Sequence, residues 1–261
     1  MVILNKWNGA SATALKALHT LEIVAESPSP VSAQEVANKL LSDKATAYRM
    51  LVTLLKSGFV VRDEVSKRYS LSYKVVSLSR NLLAENEVSK LIQQEMRELS
   101  LATQETIHFS VLDGHKTVLV QRVKGIQLVN VDFQIGDRSP LHCTAIGKVV
   151  LAFQDVRFIE EVIAAGLPKM ASKTITDAEA LRQELRKIRP QGYAIDDHEY
   201  SATMRCIAVP VFEGNGRVNS GISISGPESR FSCEKLDELS GPILSASRNL
   251  SRQLGGIPWH E

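Results

Sequence analysis

The sequence predicts an α+β chain: an N-terminal winged helix-turn-helix, a linker helix, and a larger C-terminal α+β domain with an antiparallel sheet. Three observations lead there. The excess basic charge is confined to residues 43–80, where eight basic side chains stand against three acidic ones. The apolar period changes from helical to alternating near residue 106. Beyond that point strands gather around helices without regular β–α alternation, which argues against a doubly wound nucleotide-binding sheet. The boundaries read as 1–75 for the DNA-binding part, 76–100 for the linker and 101–261 for the second domain.

Each element has its own signal. "SATALKALHTLEIVAES" is amphipathic, with Leu15, Leu18, Leu21 and Ala25 on one face, and "PSP" at 28–30 stops it. "SAQEVANKLL" opens with a capping box from Ser32 to Glu35 and turns Val36, Ala37 and Leu40 inward. A tight turn through Leu41 and Ser42 leads to "DKATAYRMLVTLLKSG". There Ala47, Leu51, Leu54 and Leu55 face the core, and Gly58 is a natural stop. Two short strands, 59–62 and 68–71, then flank a polar turn. Helix, helix, turn, helix, hairpin is the order of a winged helix-turn-helix, whose third helix enters the major groove of double-stranded DNA. Lys44, Ala45, Thr46, Tyr48 and Arg49 lie where bases and phosphates would be met; Arg62, Lys67 and Arg68 on the wing suit the backbone. Readers of this kind act as two-fold dimers on inverted-repeat operators. The apolar stripe at 78, 82, 88, 91, 92, 96 and 99 reads as a linker helix that pairs subunits.

The second domain begins with a hairpin around Asp113-Gly114 in "TIHFSVLDGHKTVLVQRV", followed by "LVNVDF" as a third strand. Helical stretches fall at 144–165, ended by Gly166, and at 177–189, opened by a Thr176–Glu179 capping box. "CIAVPVF" and "VNSGISISG" are strands, and a last helix over 232–253 is kinked by Gly241-Pro242.

Bulk properties exclude several classes. Apolar residues at 44% are ample for a packed core, and no apolar run approaches a membrane span. The N-terminus lacks a secretion signal. The cysteines, Cys143, Cys206 and Cys233, are distant and odd in number, which speaks against a disulfide framework and for a reduced, cytoplasmic protein.

"SPLHCTAIGKVVLAF", residues 139–153, is the stretch that decides between enzyme and binder. As a phosphate loop it fails, with His142 where a glycine is needed and Val149 where a hydroxyl is needed. As a thiol site it has adjacent His142 and Cys143, with Cys206 and Cys233 as resolving thiols, but no orienting third group. A cysteine-dependent redox enzyme or redox sensor on a GAF-like domain is thus the rival reading. A metal site of His142, Cys143, Asp196, His198 and Cys206 has no recognised spacing, and no cofactor is expected. The remaining reading is a helix N-terminus whose free N–H groups suit a carboxylate, with Lys148 facing solvent.

"GDRSPLHCTAIGKVVLAF", "IRPQGYAIDDHEYSATMRCIAVPVF" and "SGISISGP" resemble the signature stretches of the effector domain of IclR-family bacterial transcription regulators. "KATAYRMLVTLLKSGFV" resembles that family's recognition helix and wing. The resemblance covers residues 11–254. It implies a non-enzymatic regulator, a repressor or an activator, acting as a dimer or dimer of dimers and responding to a small organic acid. The family's effector pocket would fall on Ala145 and Ile146, Asp196, Cys206, and the pair Ser223 and Ser225. One departure is Thr203, where members commonly carry glycine; a side chain there is expected to reshape the pocket mouth.

Overall fold

The computed structural model describes residues 11–83, 86–129, 131 and 133–257, with the backbone alone for 81–83. The chain divides into two compact units, Met1–Ala84 and Glu85–Glu261.

The first unit holds α1 (Ala12–Ala25), α2 (Ala33–Leu40), α3 (Lys44–Lys56), β1 (Val60–Arg62), β2 (Tyr69–Leu71) and α4 (Lys74–Leu83). Its core joins Val24, Val36, Ala37, Ala47, Leu51, Leu54, Val60 and Tyr69. On α1 the inner face is rotated from the expected one. Thr20 and Val24 are buried and Leu21 half-buried, while Leu18 and Ala25 are exposed. Thr20 can sit inside because its hydroxyl donates to the Lys16 carbonyl one turn back, at 2.8 Å. The Ser32–Glu35 capping box is formed from both sides. The turn into α3 passes through Leu41 in the left-handed region, φ 52°. β1 and β2 pair antiparallel, with Arg62 opposite Tyr69, and Val31 bonds Tyr69 through both backbone groups.

The second unit is built on six antiparallel strands in the order β5-β4-β3-β8-β7-β6. They are β3 (Thr106–Asp113), β4 (Lys116–Val123), β5 (Arg138–Pro140), β6 (Ala194–Asp197), β7 (Met204–Phe212) and β8 (Val218–Pro227). Helices cover both faces. α5 (Glu87–Thr103) and α9 (Cys233–Gln253) pack on one through Ile92, Met96, Leu239 and Ile243, against Ile107, Phe109, Ile207, Val209, Ile222 and Ile224. On the other, α6 (Ala145–Ala152), α7 (Val156–Ala165) and α8 (Ala178–Gln191) pack against Ala194, Met204, Cys206 and Ala208. Alternation along each strand fixes this division.

Several expectations are corrected. The linker stripe is not one helix. Asn86 is extended and caps α5 by accepting from Ser89, and α5 joins the core of the second unit. Ile92 is thus buried inside its own unit and Leu91 is half-buried. Leu78 is exposed on α4, and the Leu82 side chain lies outside the described residues. The helical stretch 144–165 is two helices, because Asp155 caps a new one. The cap of α8 is Asp177, not Thr176. None of the described residues of "LVNVDF" is in a strand, Asn130 and Asp132 lying outside them; the third strand of the hairpin edge is β5.

Candidate functional site: the start of α3 and a cavity beside the sheet

In the first unit α3 begins at Asp43, which accepts from the Thr46 backbone at 2.8 Å and from its hydroxyl at 2.7 Å. The Thr46 hydroxyl, and then its N–H, hold the Asp43 carboxyl below its ordinary range. Thr46 is therefore buried and engaged, while Lys44, Ala45, Tyr48 and Arg49 stand exposed around the same end of the helix. On the wing Lys67 is exposed beside Glu64, at 3.2 Å, and sits at φ 58°. Arg62 stacks over the Tyr69 ring at 5.7 Å. Arg68 is half-buried, its guanidinium reaching both Glu35 oxygens at 2.6 Å and the Pro30 carbonyl at 2.7 Å. The Ser32 N–H and hydroxyl, with Arg68, hold Glu35 down to about 2. Arg68 thus ties the wing to α2, a bond that the charge count alone could not reveal.

In the second unit all six residues named for the effector meet in one cavity of about 480 Å³, part of it open to solvent. The register explains their convergence. Asp196 on β6 lies opposite Cys206 on β7, which lies opposite Ser225 on β8; Ser223 lies opposite His108 on β3. Directly opposed residues of antiparallel strands are close enough for side chains to touch. The α6 N-terminus closes the cavity from the helical side. Thr144 accepts from the Gly147 N–H at 3.1 Å, and the N–H groups of Ala145 and Ile146 have no partner among the described residues. A Cβ on Gly147 would stand 2.6 Å from the Leu141 backbone, so this close approach requires glycine.

The lining also includes residues that the sequence reading did not single out: His108, Ser110, Thr117, Phe133 and Tyr200. The His108 Nδ1 lies 3.3 Å from the Ser225 hydroxyl, and its ring meets Phe133 edge-on at 5.5 Å. A signal was available, since Thr106, His108 and Ser110 alternate with Ile107 and Phe109. In a sheet covered on both faces the polar set must line an interior space rather than meet water. Thr203 is exposed and outside the lining, next to Met204, which is part of it.

Asp196 is fully buried, and burial raises its carboxyl to about 7. Its Oδ1 accepts from the N–H groups of Glu199 at 2.8 Å and Tyr200 at 3.3 Å. Lys148, expected at the surface, is also fully buried, bonded to Glu199 at 2.5 Å and Glu184 at 3.1 Å. The two buried thiols, Cys143 and Cys206, are poor nucleophiles. Burial pushes Cys143 up to about 12 and Cys206 well above its ordinary value, against what a reactive thiolate needs. His142 bonds the Pro168 carbonyl at 3.0 Å rather than serving Cys143 as a base. Among the described residues no cluster suited to a metal ion occurs, and no helix is long and apolar enough to cross a membrane.

A helix-turn-helix unit on the same chain as an α+β unit with a partly open cavity is the architecture of a DNA-binding transcription regulator. The chain belongs to the IclR family: residues 13–64 match the IclR helix-turn-helix domain and residues 80–252 the bacterial transcriptional regulator IclR C-terminal domain. It is 35% identical over 253 residues to the HTH-type transcriptional regulator KdgR of Escherichia coli, covering 97% of this chain and 96% of that protein. It is 25% identical to the Escherichia coli transcriptional repressor IclR, covering 93% and 89%. Among solved structures, the Thermotoga maritima IclR superposes with a TM-score of 0.69 at 32% identity, covering 93% of this chain and 98% of that one. The C-terminal domain of Escherichia coli KdgR matches 65% of this chain, at 38% identity and a TM-score of 0.59. These relatives are regulators, not enzymes, and the thiol-enzyme reading is set aside.

Proposed function

We propose that the protein is a cytoplasmic repressor that binds an inverted-repeat operator in double-stranded DNA as a homo-oligomer, a dimer or a dimer of dimers. A small carboxylic acid, held by Ala145, Ile146, Asp196, Cys206, Ser223 and Ser225, modulates that binding. The observation that carries the DNA half is the exposed group of Lys44, Ala45, Tyr48 and Arg49 at the start of α3. These residues read base edges, Lys67 and Arg62 meet phosphates, and Thr46 and Arg68 hold the helix cap and the wing in shape. The effector half is supported by the meeting of six residues, scattered over 81 positions of sequence, in one cavity that also holds two free N–H donors.

The test compares operator and random DNA. Tyr48→Ala or Arg49→Ala should lower discrimination by about 1–3 kcal/mol, as expected for a lost base contact. Lys67→Ala should weaken both DNAs alike and reduce the salt slope by about one phosphate. Equal losses on both DNAs for all three variants would remove the assignment of α3 to base reading.

A further inference from the structure

The inference rests on the effector reading of the cavity and concerns how an anion can be held beside a buried acid. Two features of the lining oppose each other. The free N–H groups of Ala145 and Ile146 favour negative charge. Asp196 lines the same cavity, fully buried, and its second oxygen, Oδ2, has no hydrogen-bond partner among the described residues.

The surroundings do not neutralise this acid. Among the described residues no lysine or arginine lines the cavity. Glu199, on the same turn, is bonded to Lys148, which also bonds Glu184 on α8, so the one ammonium nearby is already shared by two carboxylates. The other titratable groups nearby are Cys206 on β7 and Cys143 ahead of α6, both held neutral by burial, and His108, Tyr200 and Asp137 on the lining.

We propose that an anion seated on the α6 N-terminus is bound with Asp196 protonated, so that Oδ2 donates a hydrogen bond to an oxygen of the ligand. The proton is taken from solvent on binding and returned on release. A ligand carboxylate and an ionised Asp196 would repel at contact distance, whereas the neutral acid turns the repulsion into a donor. The unmade bond at Oδ2 is then completed by the ligand. With burial holding the free acid near 7, the ligand-free protein is a mixture of both forms at neutral pH and the anion draws it to the protonated one. The sign follows: a group whose pKa rises on binding gives affinity that is complete below its free value and is lost as pH rises through it.

The full-length protein, perdeuterated and ¹⁵N-labelled, is titrated with acetate at pH 6 and pH 8, following the amide signals of Ala145 and Ile146. The expected midpoint at pH 8 is about tenfold higher than at pH 6, the limit for one proton titrating near 7. In Asp196→Asn the two midpoints should coincide. Should that variant not fold, the ¹³C carboxyl signal of Asp196 in the wild type should titrate near 7 and move to higher pH with acetate. Equal wild-type midpoints at both pH values, or a pH dependence that survives in Asp196→Asn and so belongs to His108, overturn the proposal alone. Absence of amide shifts at either pH overturns the anion-site reading and takes the proposal with it.

Discussion

Asp196 makes the stability of the second unit depend on pH whether or not a ligand is present. Its carboxyl stands near 7 when folded, against 3.8 as its ordinary value, so folding favours the protonated form. Such a group loses its favourable contribution as pH rises from about 4 to 7 and stays unfavourable above. Asp196→Asn keeps an acceptor for the Glu199 and Tyr200 N–H groups and removes the charge. Relative to wild type it should therefore gain about 2–3 kcal/mol more at pH 8 than at pH 5, in denaturant unfolding at the two pH values. A pH-independent difference would show that Asp196 is ionised in the folded protein. At this scale the family motifs made Asp196, Cys206, Ser223 and Ser225 legible. Lys148 was not, because a lysine on a short helix is read as solvated unless its partners are known. Glu184 and Glu199 lie 36 and 51 positions away and come together only in the fold.

Two elements depend on backbone geometry at a single position. Gly147 lets α6 approach Leu141 closely, and a methyl there would meet backbone and the Thr144 hydroxyl at 2.6 Å. Gly147→Ala should destabilise the second unit by about 1–3 kcal/mol through overpacking, and should displace the N–H groups that end the cavity. A melting temperature equal to wild type would mean the approach is looser than the structure has it. Leu41, at the turn before α3, is 85% exposed and left-handed. Leu41→Gly should stabilise the first unit by up to about 1 kcal/mol, measured by urea unfolding, since glycine pays no Cβ penalty there. A loss instead would mean that the exposed leucine makes contacts outside the single chain. The helices of the first unit were legible because caps, period and turn residues agreed. β5 and β6 were not, being three and four residues long and specified by edge pairing with β4 and β7 rather than by pattern. α5 was read as an interface because its stripe is the same whether it packs on a partner or on α9; sequence periodicity does not name the neighbour.

For the whole molecule, the charge bias at 43–80 falls in the first unit, and the change of period near residue 106 falls where β3 begins the sheet of the second. The helix between them belongs to the second unit, since Ile92, Met96 and Leu99 lie in its core. A fragment ending at residue 100 would therefore carry an α5 stripped of its packing, whereas one ending before Asn86 should retain the intact core of the first unit. The longer fragment should aggregate and the shorter remain folded, by sedimentation and circular dichroism; the reverse would return α5 to the linker.

In the proposed function the cavity of the second unit controls the DNA affinity of the first. That control is tested most directly by measuring operator affinity with and without a carboxylic acid that raises the wild-type melting temperature, in wild type, Ser223→Ala and Ile146→Pro. Without acid, all folded variants should bind the operator as wild type does, because neither position lies in the DNA-binding unit. With acid, the wild-type affinity should change. In Ser223→Ala the acid should bind more weakly by about 0.5–1.5 kcal/mol, and Ile146→Pro, which lacks one N–H, should respond least. A response unaltered in both variants would place the ligand elsewhere and contradict the account.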